Sequence, residues 1–68
     1  MDKDYIELNT IIKLLNFATS GGEAKMFIRS GKVIVNGIVE TRNGKKLRKG
    51  DIIEIQGKKY TPDKFIKK

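Results

Sequence analysis

Cysteine and histidine are both absent from this 68-residue chain. Without thiols there is no disulfide to staple a small fold and no thiolate metal site. Without imidazole the usual zinc sites and every histidine-dependent triad are excluded, so catalysis would fall to Asp, Glu, Lys, Tyr, Ser or Thr alone. No enzyme is expected, and no cofactor or metal. Long apolar runs are missing too, and the first residues, Met1-Asp2-Lys3-Asp4, are charged. Neither a secretory leader nor a membrane span is expected, and the cytoplasm is the expected location.

Apolar residues make up 38% of the chain, lean but enough for one small core, so the length predicts a single domain over 1–68. Net charge is +7, unevenly spread. Residues 1–24 carry four acids and two cations. Residues 25–50 carry eight cations (Lys25, Arg29, Lys32, Arg42, Lys45, Lys46, Arg48, Lys49) against Glu40 alone, and residues 51–68 carry five against three. The middle third thus holds an excess equal to that of the whole chain. A field concentrated in this way attracts polyanions.

Hydrophobic spacing predicts the elements. Residues 4–8 alternate weakly and suit a short strand or an extended lead-in. Asn9 or Thr10 is placed to cap a first helix over about 10–16, with Leu8, Ile11, Ile12, Leu14 and Leu15 as its apolar stripe. Ser20-x-x-Glu23 has the form of a capping box opening a second helix over about 21–30. Ala24, Phe27 and Ile28 are its buried stripe, and Gly31 is a left-handed stop. Lys32–Val35, Asn36-Gly37 and Ile38–Thr41 read as a hairpin. Residues 42–50 read as a basic loop turning at Asn43-Gly44, with Leu47 as its apolar anchor. Ile52–Ile55 and Lys59–Thr61 form two further strands joined by a turn at Gly57-Lys58. Pro62 ends the ladder. Phe65 and Ile66 tuck onto the core, and Lys67-Lys68 are expected to fray. The architecture is α+β: two short helices packed on a small, mostly antiparallel sheet.

Lys25 and Arg29, at i and i+4, fall on the solvated side of the second helix. Gly21, Gly22 and Glu23 open that helix with free N–H groups that a phosphate could approach, although the Glu23 carboxylate competes for the same turn. Lys32 follows the stop, and Asn36 suits a turn because asparagine tolerates the left-handed region. Arg42, Lys45, Lys46, Arg48 and Lys49 extend the cations through the loop. Tyr5, Tyr60, Phe17, Phe27 and Phe65 are scattered, and none interleaves with the basic run. Recognition of folded RNA through shape and phosphates is therefore favoured over stacking of single strands.

Ala18-Thr19-Ser20, Glu23-Ala24-Lys25, Ile28, Gly31, Val33, Val35-Asn36-Gly37 and Lys49-Gly50-Asp51-Ile52, in this order and spacing, resemble the alpha-L RNA-binding motif, the domain type of the small-subunit ribosomal protein S-four. The resemblance spans about 8–55. Ser20-Gly21-Gly22, Ala24-Lys25 and Glu40-Thr41-Arg42 are similar to the short stand-alone bacterial proteins of the YaaA/YbcJ-like group. It implies non-enzymatic binding of structured RNA, with ribosomal RNA or the ribosome as the partner, in assembly or translation. The implied contacts are Thr19, Ser20, Gly22, Lys25, Arg29, Lys32 and Asn36, extended by Arg42, Lys45 and Lys46. Glu7-Leu8-Asn9 stands where many members of the family have Arg-Leu-Asp, and glycines at 21 and 22 replace a frequent arginine-containing pair. Both departures shift weight to Lys25, Arg29 and the loop. The alternative is a module docking an acidic protein through the same face. A monomer meets every expectation.

Overall fold

The second helix, α2 (Gly21–Arg29), forms where the capping pattern predicts it. Ser20 is extended, and its Oγ accepts the Glu23 N–H at 3.2 Å. The Glu23 carboxylate reaches back one residue beyond the capping-box partner, because Thr19 offers two donors. The Thr19 N–H and hydroxyl both donate to Glu23 Oε1 at 2.9 Å. At the far end Gly31 takes φ +85°, the left-handed conformation that glycine adopts without strain. The computed structural model describes residues 4–66. The charged lead Met1-Asp2-Lys3 and the expected fraying of Lys67-Lys68 lie outside the described residues.

The first helix, α1 (Leu8–Leu14), begins two residues before its expected start. Asn9 and Thr10 lie inside it, and no side chain caps it. Its orphan N–H groups are met instead by distant backbone: Leu8 N–H donates to the Lys45 carbonyl at 2.8 Å and Asn9 N–H to the Asn43 carbonyl at 3.1 Å. It ends early as well. Asn16 takes φ +67°, with Asn16 N–H bonded to Lys13 O and Phe17 N–H to Ile12 O. These two bonds form a Schellman stop, with asparagine in the place glycine often holds. Leu14, expected in the core, is 49% exposed on the outer side of this last turn.

Among the described residues, six short strands accompany the helices. β1 (Tyr5–Glu7) pairs antiparallel with β4 (Lys46–Arg48) as a separate two-stranded ribbon. β2 (Val33–Val35), β3 (Ile38–Val39), β5 (Ile53–Ile55) and β6 (Lys58–Tyr60) make an antiparallel sheet in the order β3-β2-β5-β6. Asn36 and Gly37 both have positive φ, as a two-residue hairpin turn requires, and Gln56-Gly57 repeats that geometry one residue earlier than expected. The region read as a basic loop is thus partly strand. With a single apolar residue, Leu47, its exposed–buried–exposed alternation is too short to recognise from sequence.

One face of the sheet and the ribbon close over the helices. Leu8, Ile11, Ile12, Ala24, Ile28, Val33, Leu47, Ile53 and Ile55 are buried, as is Pro62 behind them. Each large aliphatic among them contributes roughly 1.5–3 kcal/mol by leaving water. Phe17 stacks on Phe27 (centroids 5.4 Å apart) and meets Tyr60 edge-on at 6.1 Å, tying the interhelix link to the last strand. Ile66 is buried and Phe65 partly so, as expected of the tail.

Candidate nucleic-acid interface

Helix α2 separates packing from charge. Ala24 and Ile28 are fully buried on one side. Gly22, Lys25, Met26 and Arg29 are exposed on the other, Met26 by 75%. Among the described residues, Lys25 and Arg29 make no ion pair or side-chain hydrogen bond, so both cations are available to a partner. Lys32 lies past the Gly31 stop with its Nζ 5.6 Å from the Phe27 ring centroid, a cation–π contact that draws it toward the helix.

The N-terminal turn of α2 is already occupied. Ser20 and Thr19 spend their hydroxyls on Glu23, and the two N–H and O–H bonds from Thr19 hold that carboxylate below the usual range. The helix therefore carries its own anion at the end where a phosphate would otherwise be drawn. Nothing crowds the space beside Gly21, and only Ser20 Oγ, at 4.0 Å, borders that beside Gly22.

Asn36 is committed in part to the fold. Its φ is +52°, its Nδ2 donates to Asp51 Oδ1 at 3.1 Å, and its Oδ1 accepts the Ile52 N–H at 2.9 Å. The side chain pins the β2–β3 turn to the start of β5, leaving one amide proton facing solvent.

The basic segment brings charge together in a way its sequence conceals. Arg42, Gly44, Lys45, Lys46 and Arg48 line an open hollow of about 570 Å³. Arg42 forks onto Glu40, whose carboxyl is held below its ordinary range first by that side-chain bond. Arg48 pairs with Asp4. Lys45 and Lys46 form no ion pair among the described residues, although Lys45 helps to hold Glu40 ionised, so the hollow keeps a positive excess. The same backbone caps α1 through the carbonyls of Asn43 and Lys45.

Tyr5 corrects the expectation that no aromatic interleaves with these cations. It sits opposite Arg48 in the ribbon, with Arg48 Cζ 5.4 Å and Lys46 Nζ 5.2 Å from its ring centroid. Neither Tyr5 nor Arg48 belongs to the set of residues that the sequence assigns to the RNA. The available signal was Tyr5-x-Glu7 against Lys46-x-Arg48, two alternating triplets about forty residues apart that reveal nothing until paired. Among the described residues no cluster of acidic side chains could hold a metal ion.

Comparison with known proteins gives concordant matches. The S4 domain family matches residues 1–61. A protein of Bacillus subtilis (strain 168) named "Probable ribosome maturation protein RlbA" is 40% identical over 57 residues, covering 84% of this chain and 80% of that protein. One of Escherichia coli (strain K12) named "Putative RNA-binding protein YbcJ" is 38% identical over 53 residues, covering 78% and 76% respectively.

Proposed function

The chain belongs to the S4 domain family, and on that premise we propose that it binds structured RNA without catalysis, as a cytoplasmic monomer whose target is ribosomal RNA. The observation that carries this reading is the division of α2: Lys25 and Arg29 stand unpaired and exposed while Ala24 and Ile28 are buried and Phe27 half-buried. Cations that serve no packing or pairing role are free to neutralise phosphates. The hollow formed by Arg42, Lys45, Lys46 and Arg48 adds a second group of the same sign. Thr19, Ser20, Gly22, Lys32 and Asn36 border the helix and hairpin as shape contacts. The two relatives' names, one for ribosome maturation and one for RNA binding, support the RNA target and the ribosomal setting.

Phosphate contacts of this kind make affinity fall steeply with salt, since each neutralised phosphate releases counterions. Replacing Lys25 and Arg29 together by alanine should weaken binding to ribosomal RNA. It should also lower the slope of log Kd against log salt by about 0.7–0.9 for each phosphate no longer neutralised. The melting temperature should move little, because both side chains are exposed and such substitutions usually cost under about 0.5 kcal/mol. A double variant that binds with unchanged affinity and slope would place the interface elsewhere. Association that survives nuclease treatment would replace RNA by an acidic protein.

A further inference from the structure

The β1–β4 ribbon has two faces, set by strand alternation and register. Ile6 and Leu47 are opposite one another, with Leu47 fully buried against the core. Tyr5, Glu7, Lys46 and Arg48 share the opposite, outward face. There the Tyr5 ring lies within cation–π distance of both Lys46 and Arg48. An aromatic ring set among cations is the arrangement with which proteins hold unpaired nucleotides: the ring stacks on the base and the cations meet the backbone. Shape recognition of a duplex alone would make no use of the ring.

Tyr5 lines one hollow, and its two cation–π partners, Lys46 and Arg48, line another of opposite character. One is the cationic hollow lined by Arg42, Gly44, Lys45, Lys46 and Arg48. The other is smaller, about 260 Å³, and is lined by Tyr5, Ile6, Glu7 and Thr10. A phosphate is drawn to the first and repelled from the second by the Glu7 carboxylate. A neutral base can occupy the second, beside the aromatic ring and Ile6. The two hollows therefore orient a nucleotide across Tyr5.

We propose that the outward face of the ribbon takes one unpaired nucleotide of the bound RNA, its base against Tyr5 and its phosphate in the hollow of Lys45, Lys46 and Arg48. This rests on the reading that the chain binds RNA, and it adds a preference for duplex interrupted by a bulge or flanked by an unpaired residue.

The test uses two RNA probes: a blunt duplex, and the same duplex with one bulged nucleotide. The full chain should bind the bulged probe about fivefold to a hundredfold more tightly, the range expected for one base–aromatic stack. Tyr5→Ala should abolish that ratio and Tyr5→Phe should keep it. Loss of charge positioning alone would weaken both probes alike and leave the ratio intact. The chain has two tyrosines and no tryptophan, so a Tyr60→Phe background reports Tyr5 emission alone. That emission should be quenched by the bulged probe and not by the blunt one. Equal affinity for both probes, with Tyr5 emission unchanged, overturns the proposal while leaving RNA binding in place. Failure of the chain to bind either probe overturns the RNA reading itself.

Discussion

Glu40 and Arg42 are joined three ways. Arg42 Nε donates to Oε2 at 2.9 Å, its Nη2 to Oε1 at 3.2 Å, and its backbone N–H to Oε2 at 3.0 Å. The arginine side chain is 72% exposed while that of Glu40 is 13% exposed. One of the two guanidinium groups that line the hollow is therefore partly neutralised by an acid held beneath it. Removing the acid's charge should favour RNA. Glu40→Gln is expected to raise RNA affinity at low salt and to steepen the salt dependence, an increment of about 0.7–0.9 in slope if one more phosphate is engaged. A titration at several salt concentrations against the same RNA measures it.

Acid should loosen the fold through two glutamates. Glu23 is lowered first by the Thr19 N–H and then by its hydroxyl, and Glu40 is lowered first by the Arg42 side chain. A carboxylate whose folded value lies below its unfolded one contributes stability above the unfolded value, and that contribution is lost as pH falls through the folded one. Urea midpoints should hold steady from neutral pH down to the ordinary glutamate range and then decline. Glu23→Gln and Glu40→Gln should each start lower at neutral pH and decline less on acidification. A decline identical to the parent's in both variants would assign the acid sensitivity to other groups.

The turn at Asn36 allows conformation and hydrogen bonding to be separated. Asn36→Gly keeps a residue at ease at φ +52° but removes the bonds to Asp51 and Ile52. It should cost about 1 kcal/mol, a fall in Tm of roughly 4–8 °C. Asn36→Ala loses the same bonds and adds left-handed strain of about 1–2 kcal/mol. Thermal melts should thus rank the parent above glycine and glycine above alanine; equal Tm values for the two variants would show that the strain is absent.

What could be read in advance divides along the reach of the interactions. Helix α2 was legible because Ser20, Glu23 and Gly31, which start and stop it, lie within or beside it. The Asn36-Gly37 turn was legible for the same reason. The start of α1 was not, since its capping groups are the carbonyls of Asn43 and Lys45, supplied from more than thirty residues away. Strand β4 was hidden because three residues with one apolar centre carry no period. Lys25, Arg29 and Lys32 follow from helical spacing and a glycine stop. The place of Tyr5 among Lys46 and Arg48 follows only from the ribbon's register.

The basic segment and helix α1 stand or fall together, and Leu47 is their common anchor. Leu47 is fully buried, and it places β4 so that the carbonyls of Lys45 and Asn43 meet the first amides of α1. Leu47→Ala should cost about 2–4 kcal/mol from lost burial and the cavity left behind. The loss should not be uniform. If the ribbon supplies the cap, the Leu8 and Asn9 amides should exchange with solvent faster relative to the β2–β5 amides, which belong to the other sheet. The four cations of the hollow would lose their common backbone support at the same time, so RNA affinity should drop although no charge has changed. Hydrogen exchange in the variant reads the first effect and RNA titration the second. An exchange pattern scaled evenly across the fold would mean that α1 holds its first turn without the ribbon.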